Sequence, residues 1–384
     1  MKIGLMVTGI GVPRGREKNV SGHVQLPMRT AELLQAAGSE VHLITTQFRD
    51  DYVLPEVVPD PARVPLHVVA DGRRRGEVGK QNAKSGYRPL AMIRQLRQML
   101  RLARELQLDV LHVFGMDRMS RLAGLLRLLG SPCPVISTAY RPFSTGLWGP
   151  IYRRSDAVVC STQYVTDLCA KVRGQVHLIR PGIARDFRTE LDGLTPGPRR
   201  RVLCWREATL DQGADLALAA FDALAPTYPD LSFDMAFREN RHEVPGVQQL
   251  AEKHANVNLF RFPYPEGISL ARLIAESLCV VLPFRQLTIQ PQLAIAESLQ
   301  AGAATVCTDI ESCGELVRHE HTGLVVPPND HVALTAAVAQ LLDNREATVA
   351  MCHEAECDMA LRWNWNTYRD NLIKLYQGLL DSID

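Results

Sequence analysis

Charge of one sign is what this chain has least of. It carries 43 Lys and Arg against 42 Asp and Glu, a formal net charge of +1. Such a balance exerts no global pull toward nucleic acid or a membrane surface. Cysteine pairing is missing too. The nine cysteines are scattered and none sits in a C-x-x-C pair; the closest sets are Cys307 with Cys313 and Cys352 with Cys357. That spacing suits neither zinc nor a disulfide framework, so reduced thiols in a cytoplasmic protein are expected. No run of about 18 apolar residues exists, which excludes a membrane-spanning helix. The opening MKIGLMVTGIG has too short an apolar run for a signal peptide and reads as a strand. Low-complexity segments are absent, as is any Asp-x-Asp pair at a strand end.

What is present is alternation. The short apolar runs are KIGLMVTG, EVHLITT, PLHVVA, VLHVFG, PVIST, AVVCST and VHLIR, then RVLCW, SFDMAF, VNLFRF, CVVLPF, ATVCT and GLVVP. Helix-periodic stretches separate most of them, for example 24–37, 90–106, 213–225 and 332–343. Val-rich continuous runs with helical crossovers predict parallel sheets covered on both faces. A chain of 384 residues with 46% hydrophobic content exceeds one ordinary domain. The predicted fold class is therefore α/β, two doubly wound Rossmann-like domains facing a cleft. The break falls at DGLTPGPRRR, residues 192–201, which has turn residues and prolines and no periodicity. Domains of 1–190 and 191–362 follow. Ligands of such folds bind at the carboxyl ends of the strands, so the site is expected in the cleft between the two domains. The polar segment 71–89, DGRRRGEVGKQNAKSGYRP, reads as a surface loop.

One carboxylate does not fit its surroundings. In LPFRQLTIQPQLAIAESLQAGAATVCTD, residues 282–309, Glu297 has Leu293, Ala294, Gln300 and Ala301 as its i±3 and i±4 neighbours. None is basic, and burying a carboxylate there is costly unless something hydrogen-bonds to it. Pro291 suits the first turn of the helix, where a missing N–H costs nothing. The backbone N–H groups of Gln292 and Leu293 would then make a ready anion site. Glu297 either meets a ligand there or points to solvent.

Several spaced motifs, in order, carry a resemblance. RVLCWREATLDQGADLALAAF resembles a strand, Gly-Arg, loop, Lys-Gly, helix element. AIAESLQAGAATVCTDIESCGELVRHEHTGLVVPPND resembles a Glu-Ala-x-Ala-x-Gly-x-Pro-Val, Gly-x-x-Glu and Gly-Leu-Leu-Val-x-Pro stretch. RWNWNTYRDNLIKLY resembles a closing helix that returns to the first domain. The chain is thereby identified as resembling family 4 of the retaining glycosyltransferases of the two-Rossmann-domain type called GT-B, most strongly over about 200–376. The resemblance implies transfer of a sugar from a nucleoside-diphosphate sugar to an acceptor nucleophile, with retention of anomeric configuration. It implies a closing segment, 363–384, on the first domain. It implies that Glu297 accepts hydrogen bonds from ribose hydroxyls and that Arg206 grips the diphosphate. The other reading of Arg206 is a salt bridge to Glu207 or Asp211. No metal or other cofactor is expected, since the cation role falls to Arg206 and helix dipoles.

Departures from the family pattern are specific. The first of its two Glu, which contacts the transferred sugar, is replaced by Ile289, with Gln290 or Gln286 as stand-ins. The phosphate-binding Lys matches Gln212, and the Gly before the Arg is Trp205. These changes mean altered donor specificity or lost activity. The second case makes the chain a non-catalytic relative that binds nucleotide or a partner. An epimerase or phosphorylase on the same fold needs His and carboxylate sets, or a cofactor lysine, that the sequence lacks. In the first domain the Ser21-Gly22 pair resembles the family's Gly-Gly loop, where Gly22 allows close approach of donor phosphates. Arg14, Arg16 and Lys18 in the preceding loop either supply charge or are solvated. His112, ending DVLHV, matches a region where the family has a sugar- or acceptor-contacting His; the other reading is a satisfied structural histidine. The family's neighbouring His positions hold Phe114 and Tyr140. Finally, Arg94, Arg97, Arg101 and Arg104 recur at helical spacing in 90–106. That face either rests on an anionic membrane, where lipid-linked acceptors reside, or is simply solvated.

Overall fold

The computed structural model describes residues 1–15, 17, 22–46, 51–70, 89–115, 117–142, 149–172, 175–183, 189–191, 195–287 and 289–382. In chain order the elements begin with β1 (Lys2–Val7), β2 (Val12–Pro13), α1 (Gly22–Ala36), β3 (Glu40–Thr46), β4 (Tyr52–Val53), β5 (Leu66–Val69) and α2 (Pro89–Glu105). They continue with β6 (Val110–Gly115), α3 (Asp117–Leu128), β7 (Val135–Ala139), α4 (Gly149–Tyr152), β8 (Ala157–Cys160), α5 (Gln163–Ala170) and β9 (Val176–Leu178). After a 3-10 turn at Thr189–Leu191 come β10 (Arg201–Glu207), α6 (Ala214–Leu224), β11 (Ser232–Arg238), α7 (Val247–Lys253), β12 (Val257–Phe262), α8 (Leu270–Ala275) and β13 (Ser277–Leu282). The last are α9 (Leu293–Gln300), β14 (Ala304–Thr308), α10 (Cys313–Leu316), β15 (Gly323–Val326), α11 (His331–Asp343), α12 (Arg345–Arg362) and α13 (Trp365–Asp381).

Two compact units divide the chain, Met1–Ala184 with Trp365–Asp384, and Arg185–Asn364. The first holds a seven-stranded sheet of order β5-β3-β1-β6-β7-β8-β9. Its neighbouring strands are all parallel. The second holds a six-stranded parallel sheet, β12-β11-β10-β13-β14-β15. All thirteen apolar runs named above are strands of these sheets. Helices cover both faces of such a sheet, so every residue of β13, SLCVVL, is buried. The first unit packs α2 and α3 on its sheet through Met99, Leu126 and Val113. The second builds its core from Phe221, Phe233 and Phe237 with Leu334 and Val338 of α11. Each such side chain contributes roughly 1.5–3 kcal/mol through burial.

The expected break at 190 falls at 184 instead. Thr189–Leu191 packs against α8 and so belongs to the second unit. Trp363, whose N–H caps α12 on the Met359 carbonyl, stays with that unit too, and the closing segment starts at Trp365. In α13, Tyr368, Leu372 and Tyr376 repeat every four residues and are buried. Tyr368 Oη lies 3.0 Å from Thr30 Oγ1 of α1. Gly182 must be glycine because a Cβ would meet the Trp365 ring at 2.4 Å. Residues 71–88 of the proposed surface loop lie outside the described residues. Among the described residues, no helix is long and apolar enough to cross a membrane.

Candidate functional site

The strand order of the second sheet reverses between β10 and β13. In doubly wound sheets a ligand binds at the carboxyl ends of the strands beside that reversal. Arg206 stands there, at the end of β10. Its φ is 120°, a backbone region that favours glycine. Its side chain is half-buried. Burial pushes its pKa down, Glu297 opposes that by Coulombic attraction, and Arg238 adds to it. No described residue makes a hydrogen bond or ion pair with its guanidinium. The alternative salt bridge to Glu207 or Asp211 is not formed, and Glu207 instead accepts from Asn240 Nδ2 at 2.8 Å. Arg285 makes the contrast. It is tied to Asp215, to Asn329 and to the Leu210 carbonyl. A desolvated cation without a hydrogen-bonded anion among the described residues is poised for an anionic ligand.

Glu297 is only 8% exposed, so the solvent-pointing alternative does not hold. Trp205 explains how α9 is held. Its Nε1 donates to Ser298 Oγ at 3.1 Å, and that hydroxyl donates to the Ala294 carbonyl at 2.8 Å. The large residue in the place of a glycine thus ties the end of β10 to the helix carrying Glu297. Helix α9 starts at Leu293 with Gln292 as its cap. Pro291 therefore precedes the cap and is not in the first turn, a correction. It follows a cis peptide bond after Gln290. The N–H groups of Gln292, Leu293, Ala294 and Ile295 are the four that an α-helix leaves without intrahelical acceptors.

Gln212 lies in the loop between β10 and α6. Its Oε1 is buried with no hydrogen-bond partner. The amide can turn its NH₂ outward as readily as its oxygen, so it is available to a phosphate but brings no charge. Gly213 follows with φ 71°, and a Cβ there would stand 1.8 Å from the Pro283 carbonyl oxygen. Gln290 is not an available stand-in for the missing Glu, and that expectation is corrected. It is 1% exposed, donates through Nε2 to Glu311 Oε2, and accepts at Oε1 from Ser312 Oγ. Gln286 is exposed and Ile289 half-buried.

A cavity of about 290 Å³ opens at the ends of β10, β11 and β12, lined by Glu190, Trp205, Arg206, Arg238, Phe262 and Tyr264 among others. The Arg238 guanidinium lies 5.6 Å from the Phe262 ring centre. Phe262 and Tyr264 meet edge to face, with centroids 5.6 Å apart. Arg238, Phe262 and Tyr264 escaped the sequence reading. The available signal was position: Arg238 ends SFDMAFR, and Arg206 stands one residue from the end of its own strand. Two cations and a pair of aromatic rings suit a planar ring joined to phosphates. Among the described residues, no group of three His, Cys, Asp or Glu is arranged to hold a metal.

In the first unit His112 is a satisfied structural histidine, which corrects its reading as a catalytic residue. It is 0% exposed, with Nδ1 at 2.6 Å from Tyr376 Oη and Nε2 at 2.8 Å from Thr138 Oγ1. Desolvation pushes its pKa down to about 3. Both ring nitrogens are engaged, so none is left for substrate. Gly22 is the first residue of α1. Ser21, Arg16 and Lys18 lie outside the described residues, and Arg14 is exposed. On α2, Arg94, Arg97, Arg101 and Arg104 are all exposed. So are Leu90, at 81%, and Ile93, while Leu96, Met99 and Ala103 face the core.

Residues 199–344 match the family model for glycosyl transferases group 1, and residues 20–187 match that for glycosyltransferase family 4. Among curated proteins, no sequence matches the chain. A glycosyltransferase from Rickettsia africae shares its fold at TM-score 0.71 and 15% identity, covering 99% of this chain and 98% of that one. Sucrose-phosphate synthase from Thermosynechococcus elongatus does so at TM-score 0.69 and 15% identity, with 100% of both chains covered. HepE of Anabaena in complex with UDP matches at TM-score 0.69 and 12% identity, over 98% of this chain and 100% of that one. HepE has also been solved with UDP-glucose.

Proposed function

Because the chain belongs to the family 4 glycosyltransferases of the GT-B type, we propose that it transfers a sugar from a nucleoside diphosphate to an acceptor nucleophile with retention of anomeric configuration. The observation that carries this is Arg206, a desolvated guanidinium without a hydrogen-bonded anion among the described residues, at the sheet's switch point with Glu297 beside it. Arg206 and the N–H groups of Gln292 and Leu293 hold the diphosphate, and Gln212 adds a neutral donor. Glu297 accepts from the ribose hydroxyls. The cavity beside Arg238, Phe262 and Tyr264 takes the base. The complexes of HepE with UDP and UDP-glucose support a donor of this class.

In the transfer step the bond from the anomeric carbon to the β-phosphate oxygen breaks. The acceptor oxygen bonds to that carbon on the same face. The departing phosphate oxygen takes the acceptor proton, and Arg206 offsets the developing charge without a metal ion. The test is incubation with nucleotide sugars, reading release of nucleoside diphosphate and the anomeric proton of the product. An α-linked donor should give an α-linked product. A β-linked product would refute retention.

A second reading is a relative that binds nucleotide and has lost catalysis. The engagement of Gln290 by Glu311 and Ser312, next to Ile289, favours it. Binding of UDP-glucose with no turnover in the presence of any acceptor tested would support it. We further infer that the exposed face of α2 rests on anionic lipid, through Leu90, Ile93 and the four arginines. Sedimentation with phosphatidylglycerol vesicles tests this. Binding that persists in Arg94→Glu/Arg97→Glu would refute it.

A further inference from the structure

The donor reading leaves one gap. Position 289, where the sugar-contacting carboxylate is expected, holds Ile289, and Gln290 is committed to the protein. We propose that Glu311 supplies that carboxylate to the hydroxyls of the transferred sugar. The inference rests on the nucleotide-sugar reading above.

Three observations point to Glu311. Its φ is 47°, in the left-handed region that glycine occupies freely and a side chain does not. A residue kept in that conformation has a reason to be there. Second, its carboxylate is aimed. Oε2 accepts from Gln290 Nε2, whose own carbonyl is fixed by Ser312, itself 0% exposed. Oε1 has no partner among the described residues, and the residue is exposed. One oxygen is thus anchored and the other offered. Third, the place is right. Gln290 lies two residues before the α9 cap, and Glu297 five residues after it. At about 1.5 Å per residue the helix spans roughly 7.5 Å between Gln292 and Glu297. The N-terminal N–H groups lie at the Glu311 end of that span, so a diphosphate held there separates a ribose on Glu297 from a sugar on Glu311. The chain has moved the acid from the loop after β13 to the loop after β14, and Gln290 links the two positions.

The experiment is calorimetric titration of wild type, Glu311→Gln, Glu311→Gly and Glu311→Gly/Ile289→Glu. The probes are UDP, UDP-glucose, GDP and GDP-mannose. Glycine relieves φ 47° but leaves the buried Gln290 Nε2 without its acceptor, whereas Glu311→Gln keeps an amide oxygen for it, so thermal melts run beside the titrations and Glu311→Gln carries the result if Glu311→Gly melts low. Loss of hydrogen bonds to a charged group weakens binding by about tenfold or more. Both single variants should lose that much for the sugar nucleotide and less than about twofold for the bare nucleotide. Ile289→Glu in the glycine background should restore it. Equal weakening of nucleotide and sugar nucleotide would make Glu311 a support for α9 and overturn the proposal. Unchanged binding would overturn it as well. If wild type binds none of the four and none of dTDP, CDP and ADP, the donor reading falls and this proposal with it; if it binds one of the bare nucleotides, only the sugar assignment is at stake, and the variants are compared on that nucleotide and its glucose conjugate.

Discussion

Arg206→Gly should separate stability from binding. At φ 120° the native backbone is strained by about 1–3 kcal/mol, and glycine removes that strain. It also removes a half-buried cation whose pKa burial has pushed down. Against this, Glu297 loses its Coulombic partner, so the net gain expected is about 1 kcal/mol. For a unit of this size that is a rise in melting temperature of roughly 2–4 °C. Binding moves the other way. Two charge-assisted hydrogen bonds to a diphosphate, each about 1.5–3 kcal/mol, amount to a loss of more than about a hundredfold in Kd. Thermal melting and calorimetric titration with UDP and GDP read the two effects on one preparation. A lower melting temperature would show that the guanidinium supports the fold. Unchanged nucleotide affinity would show that the phosphates are held elsewhere. Either result refutes the reasoning.

Four further outcomes are expected. His112, pushed down to about 3, is neutral in the folded chain, whereas the unfolded chain binds a proton below about pH 6.5. Stability is therefore full above about pH 6.5 and falls as pH drops toward 3, by up to about 1.4 kcal/mol per unit; urea titrations should show this slope reduced in His112→Gln. Tyr376→Phe leaves His112 Nδ1 without its 2.6 Å partner and should cost about 1–3 kcal/mol in the same assay. Gly213→Ala drives a Cβ onto the Pro283 carbonyl at a positive φ, so it should lower the melting temperature and weaken nucleotide binding together. Activity should survive EDTA, and loss restored by a divalent cation would contradict the charge role given to Arg206.

The architecture was legible because parallel strands buried on both faces have to be continuous apolar runs. CVVLPF and VLHVFG announce themselves without any tertiary knowledge, and they become β13 and β6. Glu297 was legible for the opposite reason, as a charge in apolar surroundings. What the sequence hid depends on relations across the chain. His112 looks the same whether it meets a substrate or Tyr376, which stands 264 positions away. Gln290 reads as a stand-in acceptor until Glu311 and Ser312 claim both ends of its amide. Pro291 was misplaced by two positions because proline fits both the first turn of a helix and the residue before its cap. Arg206 and Glu311 share a signal that no sequence carries, a positive φ on a side chain that gains nothing from it alone.

The central claim is a nucleoside-diphosphate site built on Arg206 and Glu297. The most direct test is calorimetric titration of the purified protein with UDP, GDP, dTDP, CDP and ADP, beside Arg206→Ala and Glu297→Ala. The account predicts saturable binding of at least one nucleotide, weakened by both substitutions. No binding of any of the five at concentrations where donors normally saturate, or binding indifferent to both substitutions, would contradict it.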